Sequence, residues 1–447
     1  MQQKQRMTKA SKCVAMISVR TALLILLLLD SVLALNAQRV YWLGTLYPPY
    51  YGEERPSAAY DVSEDGRVVV GRSEYEAVQG WWYDVVWHPY EGTIQRVLDL
   101  NHPTIRQSSA IRVSRDGSVI LGNIVRVVCD PACRQIDTGF VWDAVSGARF
   151  FLPNIPYFAT AVDMNRSATH AVGRATPAGG SRWDLPDPAV WELGNNPITV
   201  VAYPGLPFLY YGQATAISED AKTIAIYAAF SNGSRRGSGI WILHPNGEIS
   251  QIYLGDNTYV GDLSEDGMVA VGYIDTDIDY PVMWRAANNW IAEPLARLNA
   301  SSPAYAVAIR GNIIVGYDAG GAGKALRWRL ETATTQVEDL NAIYAGVSGG
   351  MLKRAYSLSA DGRYIVGRGR WYSRPPGEAQ DEAFMLDTWR EGDTNGDSCI
   401  DDNDLLAVLF AFGTPGTGYT RHEDINKDGI VDDADLLIVL FNFGQGC

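Results

Sequence analysis

Ala58 to Gly71 read AAYDVSEDGRVVVG, and the fold follows from finding that stretch repeated along the chain. SAIRVSRDGSVILG ends at Gly122, TAVDMNRSATHAVG at Gly173 and TAISEDAKTIAI at Ile226. YVGDLSEDGMVAVG ends at Gly272, YAVAIRGNIIVG at Gly316 and AYSLSADGRYIVG at Gly367. The spacings of 51, 51, 53, 46, 44 and 51 residues define seven units. A tryptophan follows each of the first six (Trp87, Trp142, Trp191, Trp241, Trp284 and Trp328), and AFML (Ala383 to Leu386) takes its place in the seventh.

Each unit reads as four short strands. One precedes the Ser-x-Asp-Gly turn, a Val-rich one follows it, the third carries the tryptophan, and a fourth is a stretch such as IQRVLDL (Ile94 to Leu100). Asp-Gly between β-branched runs is a hairpin signal, because Gly66, Gly117, Gly267 and Gly362 accept positive φ. Repeated four-stranded units of about 45–50 residues match propeller blades, whereas a β-solenoid needs a shorter period. The seventh unit reaches only its third strand, and RVYWLGTL (Arg39 to Leu46) is a fourth strand with no unit of its own. It is expected to complete the seventh blade and remove an open edge. The expectation is a mainly β chain: a seven-bladed β-propeller over residues 38–388, then a small α-helical calcium-binding domain over 389–447.

The A-x-x-V-S-x-D-G-x-V-V-V-G…W pattern, with the opening LGTL (Leu43 to Leu46), resembles the HAF-type extracellular repeats of bacteria. That resemblance implies a secreted repeat protein and assigns no activity. The third unit departs by lacking the Asp-Gly turn, and the fourth has Ala221 and Ile226 where Gly is expected.

The tail holds DTNGDSCIDDND (Asp393 to Asp404) and, 31 residues on, DINKDGIVDDAD (Asp424 to Asp435). The near-duplicate apolar helices LLAVLFAFG and LLIVLFNFG follow them. Oxygen ligands at loop positions 1, 3, 5, 9 and 12, with the backbone carbonyl at 7, suit six-to-eight-fold calcium coordination. In the first loop these are Asp393, Asn395, Asp397, Cys399 (carbonyl), Asp401 and Asp404. In the second they are Asp424, Asn426, Asp428, Ile430 (carbonyl), Asp432 and Asp435, so two Ca2+ ions are expected. A merely solvated acidic tail would not match at five positions twice. Position 6 is Ser398 in one loop and Gly429 in the other, which predicts a strained first loop. Asp at position 12 and loop-helix repeats without a leading helix resemble type I dockerins, which implies docking onto a cohesin-like partner. Positions 10 and 11, Asp402/Asn403 and Asp433/Ala434, depart from the Ser/Thr pairs of cohesin-binding members. Phe410, Phe412, Phe441 and Phe443 are expected to pack the helices together, with a docking surface as the alternative.

Residues 1–37 read as a signal peptide: five basic residues, the apolar run Thr21 to Leu29, and ALNA before Gln38. Asp30 stops the run short of the roughly 20 residues a bilayer span needs. A secreted or cell-surface bacterial protein follows, touching membrane only through that signal. The four remaining cysteines suggest the local pairs Cys129–Cys133 and Cys399–Cys447, since the five histidines lack zinc-ligand spacing near them. The net charge of −14 opposes contact with phosphate backbones, so nucleic acid is excluded as a partner.

No nucleophile elbow, metalloprotease helix, phosphate loop or carboxylate pair is found, so no catalytic residue is assigned. Recurring Ser and Asp read as turn chemistry and the tryptophans as blade core. The aromatic loops YPPYY (Tyr47 to Tyr51), WWYD (Trp81 to Asp84), RWDLPDP (Arg182 to Pro188) and RWYSRPP (Arg370 to Pro376) are candidate contacts for a glycan or protein. The functional expectation is a secreted, non-catalytic, calcium-binding scaffold attached or assembled through its tail. The alternative is a dockerin-borne propeller glycosidase or polysaccharide lyase in polysaccharide degradation.

Overall fold

Alternating residues flanking a tight turn bury one face only when hairpins stack, and the strands stack in that way. The computed structural model describes residues 40–47, 54–76, 81–98, 105–129, 133–153, 158–176, 186–193, 199–202, 209–230, 235–330, 335–344, 348–372, 380–416 and 422–447. The expected leader lies outside them, as does most of YPPYY, RWDLPDP and RWYSRPP.

In the first unit Ser57–Val62, Val69–Glu76, Trp81–His88 and Thr93–Arg96 pair antiparallel in sequence order. The order recurs in units whose first strands are Ile105–Val113, Ala159–Met164, Leu209–Ile217, Thr258–Leu263, Ala304–Arg310 and Gly350–Leu358. The second and third units fuse into one eight-stranded sheet, because Thr138 pairs parallel with Ala159, a junction the sequence pattern does not announce. The seventh unit takes its fourth strand from the other end of the chain. Val40–Gly44 runs antiparallel to Gln380–Asp387, with Val40 opposite Leu386 and Tyr41 opposite Met385.

The turns show why Ser and Asp recur. Ser63 Oγ donates to Asp65 Oδ1 (2.7 Å) and accepts from the Val68 amide (3.0 Å), while Asp65 Oδ1 accepts from the Arg67 amide (3.0 Å). Ser114/Asp116, Ser218/Asp220, Ser264/Asp266 and Ser359/Asp361 repeat the Ser-to-Asp bond. The two departing units keep the geometry without glycine: Ala168 (φ 54°) and Ala221 (φ 57°) take the left-handed region. That conformation costs an L-residue about 1–2 kcal/mol. In the third unit Asn165 substitutes for the serine, its Oδ1 accepting from the Thr169 and His170 amides.

The core lies between units rather than within them. Trp87 of the first unit packs with Tyr364, Val366 and Met385 of the seventh. Trp191 packs with Leu121 and Val141 of the second, and Trp241 with Val172 and Val190 of the third. Trp284 meets Ala225 and Ile240 of the fourth, and Trp328 meets Val271 and Met283 of the fifth. In the seventh unit Leu386 stands where the other units have tryptophan, and with Phe384 it packs on Val315 and Ala325 of the sixth. Burying a large aromatic removes 150–250 Å² from water, so these side chains are the main cohesion between neighbours.

In the tail, Asp402–Ala411 and Asp433–Asn442 are helices, each begun by a capping box, Asp401 with Asp404 and Asp432 with Asp435. Ile400, Val408, Val431 and Val439 form their shared core. The phenylalanines do not pack the helices together as expected: Phe410 is 84% and Phe441 65% exposed. Val408 and Ala411, three residues apart, take the inward face, which turns Phe410 outward. Ser398 carries φ 73°, the strain expected where Gly429 has φ 101°. Both expected disulfides form, Cys129–Cys133 and Cys399–Cys447. The second, linking residues 48 apart, is worth about 4 kcal/mol in the chain-entropy model. Among the described residues no helix is long and apolar enough to cross a membrane.

Candidate functional site

The first strand of every unit shifts register at the same place. The extra residue is Tyr60 in the first unit, Ile111 in the second, Val162 in the third and Thr215 in the fourth. It is Gly261 in the fifth, Val307 in the sixth and Tyr356 in the seventh. A bulge re-aims the extra side chain out of the ladder. All seven of these residues line a single cavity of about 360 Å3, together with Arg112, Ala161 and Tyr259. The repeats made the turns legible, but the bulges fall on five different residue types, so no sequence motif marks them.

Beside the bulges the next residue is often acidic, and three such carboxylates stitch units together. Asp61 accepts from the Val113 amide (3.0 Å), from Arg166 Nη1 (3.2 Å) and from Ser357 Oγ (2.7 Å). Asp163 accepts from the Ile217 amide (3.0 Å) and Arg112 Nε (2.6 Å). Asp262 accepts from the Ile309 amide (3.0 Å) and Arg310 Nη1 (2.6 Å). Burial pushes the Asp163 carboxyl up from its usual range, and Arg112 opposes that rise. Burial disfavours the charge on Arg112, yet the carboxylates of Asp163, Asp61 and Asp262 hold its guanidinium above its ordinary value. Each carboxylate is occupied by an arginine and a backbone N–H, which makes the set a latch between units rather than an acid–base pair.

Tyr60, Tyr259 and Tyr356 of the cavity wall belong to a longer run of tyrosine rings. Tyr227 and Tyr259 have centroids 5.6 Å apart, Tyr259 and Tyr273 5.2 Å, and Tyr273 and Tyr305 4.9 Å. Tyr305 and Tyr317 follow at 4.9 Å, Tyr317 and Tyr356 at 6.5 Å, and Tyr356 and Tyr60 at 5.7 Å. Tyr259/Tyr273 and Tyr305/Tyr317 are directly opposed cross-strand pairs, which the register alone brings together. All seven are half-buried. Burial, with the Arg72 charge opposing it, pushes the Tyr60 phenol up to about 12, and burial raises Tyr273 to about 12 as well. The rings therefore stay neutral, with apolar faces and O–H groups that donate.

At the positions equivalent to these tyrosines the first and seventh units carry arginines. Arg72 stands opposite Ala58, and Arg354 opposite Arg368. Arg72 lies over Trp82 (4.1 Å to the ring centroid) and Tyr60 (5.5 Å), and Arg354 lies over Tyr317 (4.7 Å). Trp82 belongs to WWYD, the one aromatic loop candidate that falls wholly within described residues, and it is part of a strand.

The expected calcium residues sit at the opposite, turn-bearing end of the strands. In the first loop Asp393 accepts from the amides of Gly396 (2.7 Å) and Ser398 (3.0 Å), and Asp404 from those of Thr394 (2.7 Å) and Asp401 (2.9 Å). Asn395 accepts from the Asp397 amide, and Asp397 from the Cys399 amide. The second loop repeats this through Asp424, Asn426, Asp428, Ile430, Asp432 and Asp435. Among the described residues no three His, Cys, Asp or Glu side chains are gathered into a metal cluster. Two observations fit a cation nonetheless. The donor set is all oxygen, and the buried Asp424 Oδ1 has no hydrogen-bond partner. Its other oxygen takes a charge from outside the tail: Arg67 Nη2, on the first unit's turn, donates to Asp424 Oδ2 at 2.9 Å.

No family model matches the chain, and no curated protein matches it. Among solved structures it is similar to the β-propeller domain of the Trilobed protease from Pyrococcus furiosus, described as having an open velcro topology. The TM-score is 0.50 at 9% identity, over 76% of this chain and 95% of that one. It is also similar to a puromycin hydrolase S511A mutant complexed with PGG, with TM-score 0.50 and 12% identity. That match covers 78% of this chain and 55% of the hydrolase, so the chain spans just over half the hydrolase's length. The chain is mainly β and has the β-propeller fold. Unlike the open topology described for the Trilobed protease domain, Val40–Gly44 here is hydrogen-bonded to the last unit. The functional expectation is corrected at this point. The fold is shared with propellers of a protease and a hydrolase, and the axial carboxylates are bound up in the latch. The calcium-dependent scaffold attached by its tail and the polysaccharide-degrading alternative are both withdrawn.

Proposed function

We propose that the chain is a polypeptide-binding propeller whose ligand lies across the tyrosine crescent beside the axial cavity. The observation that carries this is the unbroken contact of seven tyrosines, contributed by the fourth, fifth, sixth, seventh and first units. Tyrosine offers large amphipathic contact area at low entropic cost, and such pairs are worth about 0.5–1.5 kcal/mol beyond area burial. The propeller on this reading is a seven-bladed ring. In support, each unit's aromatic packs on the preceding unit, and seven first strands line one cavity.

The motif supports HAF-type repeats, and the disulfides support export. The tail on this reading is dockerin-like and holds two calcium ions. Asp393, Asn395, Asp397, Asp401 and Asp404 with the Cys399 carbonyl would hold one; Asp424, Asn426, Asp428, Asp432 and Asp435 with the Ile430 carbonyl would hold the other. Calcium supplies the positive charge that lets so many carboxylates share a loop.

The test is selection of a displayed random 12-residue peptide library on the full chain and on a Tyr273→Ala/Tyr305→Ala variant. Sequences enriched on the wild type and lost on the variant are expected. Equal enrichment on both would overturn the crescent as the binding surface.

A further inference from the structure

The cavity behind the crescent is not uniformly apolar. Arg112 lines it, and this guanidinium is only partly engaged: Nε donates to Asp163 and Nη1 to the Ile111 carbonyl (2.9 Å). Its Nη2 makes no hydrogen bond to a described residue. The hydroxyl of Thr215, in the same wall, is buried without a partner. A buried donor left unmatched costs about 1–3 kcal/mol, so the Thr215 hydroxyl, in the same wall as a guanidinium with a spare N–H, points to an acceptor that arrives with a ligand.

The charges select the kind of acceptor. Asp61, Asp163 and Asp262 are matched one for one by Arg166, Arg112 and Arg310, so the latch is neutral and adds no repulsion to an incoming anion. The charges beside the tyrosines are mixed: Arg72 and Arg354 stand in the first and seventh units, Arg174 takes the equivalent place in the third, and Asp279 of the fifth accepts from the Tyr305 hydroxyl (2.7 Å). Arg72 and Arg354 lie over the rings of Tyr60 and Tyr317, the stacking holding each guanidinium in place. The fourth to sixth units present tyrosine faces. A ligand complementary to both has an aromatic or apolar body and a single terminal anion. A planar carboxylate matches the fork of a guanidinium.

We infer that the axial cavity captures the C-terminal carboxylate of a polypeptide, with Arg112 as its deep ligand and Arg72 and Arg354 as cations at the rim, while the preceding side chains lie on the crescent. This rests on the peptide-binding reading above and names its ligand class. An internal segment without Asp or Glu carries no carboxylate, so free chain ends are distinguished from such loops.

Fluorescence anisotropy with dye-labelled Gly-Tyr-Phe-Leu, ending either in a free carboxylate or in an amide, tests it on the full chain. The wild type is expected to bind the acid at least about tenfold tighter than the amide, a difference of the size a charge-assisted bond gives. Because Arg112→Gln strands Asp163 and can unfold the chain, the variant used is Arg112→Gln/Asp163→Asn, which keeps a neutral hydrogen-bonded pair. It should bind acid and amide alike, and Arg354→Gln should lose part of the preference. Equal wild-type affinity for acid and amide overturns the carboxylate assignment while leaving the crescent intact. Wild-type binding of neither peptide overturns the underlying peptide reading. A preference unchanged in the double variant overturns the role of Arg112.

Discussion

Replacing Asp61 with alanine is the sharpest test of how the units are held in register. Its carboxylate is fully buried and receives Arg166 of the third unit, the Val113 amide of the second and Ser357 Oγ of the seventh, so one side chain of the first unit joins three others. Removing it leaves Arg166, which is 3% exposed, with only the more distant Glu64 carboxylate (3.9 Å) as a counter-charge. Breaking a buried pair from one side costs about 3–5 kcal/mol, because the remaining charge has no water to return to. The Val113 amide and Ser357 hydroxyl lose an acceptor as well, so Asp61→Ala should fall at the upper end of that range. Ser357→Ala leaves Asp61 with its other partners and should cost about 1 kcal/mol. The decisive comparison is Asp61→Ala/Arg166→Met, which removes both charges. Urea unfolding followed by tryptophan fluorescence should find the double variant less destabilised than the two single changes added together. Additivity within about 0.5 kcal/mol, or a cost for Asp61→Ala below about 1 kcal/mol, would refute the idea that this latch joins the units.

Two further outcomes follow from the same structure. Burial, only partly offset by the Ser108 hydroxyl and the Leu98 amide, raises the Asp84 carboxyl above its ordinary value. The folded chain therefore keeps a proton that the unfolded chain releases above about pH 4. The stability this group contributes is complete below that pH and is lost as pH rises through the raised value. Asp84→Asn retains an acceptor for the Leu98 amide and should gain on the wild type as pH rises above about 4; parallel stability curves would contradict the assignment. For the tail, calorimetry of the full chain with calcium should give two binding events, with Asp393→Ala removing one and Asp424→Ala the other. Unchanged binding in the double variant would show the loops to be wrongly assigned.

How much of this was legible from sequence varies with the range of the interaction. The Ser-x-Asp-Gly turns were readable because Ser63, Asp65 and Gly66 bond only to atoms within five residues of each other. The pairings Cys129–Cys133 and Cys399–Cys447 and the strain at Ser398 were readable for related reasons: few partners were available, or the geometry was local. The outward phenylalanines were misread, because which helix face is buried depends on where Ile400 and Val431 arrive from outside the helices. The function expected from family likeness was also misread, since likeness in a tail carries no information about the strands.

The repeat period and the unpaired strand at Arg39 to Leu46 settled by themselves that seven similar β-units follow one another and that the first strand belongs with the last. The bulges, the tyrosine crescent and the carboxylate latch were decided only in three dimensions. The seven tyrosines are scattered from Tyr60 to Tyr356. Tyr259/Tyr273 and Tyr305/Tyr317 meet as directly opposed pairs and Tyr60 and Tyr356 stand at the bulges, a matter of register between strands that no single strand encodes.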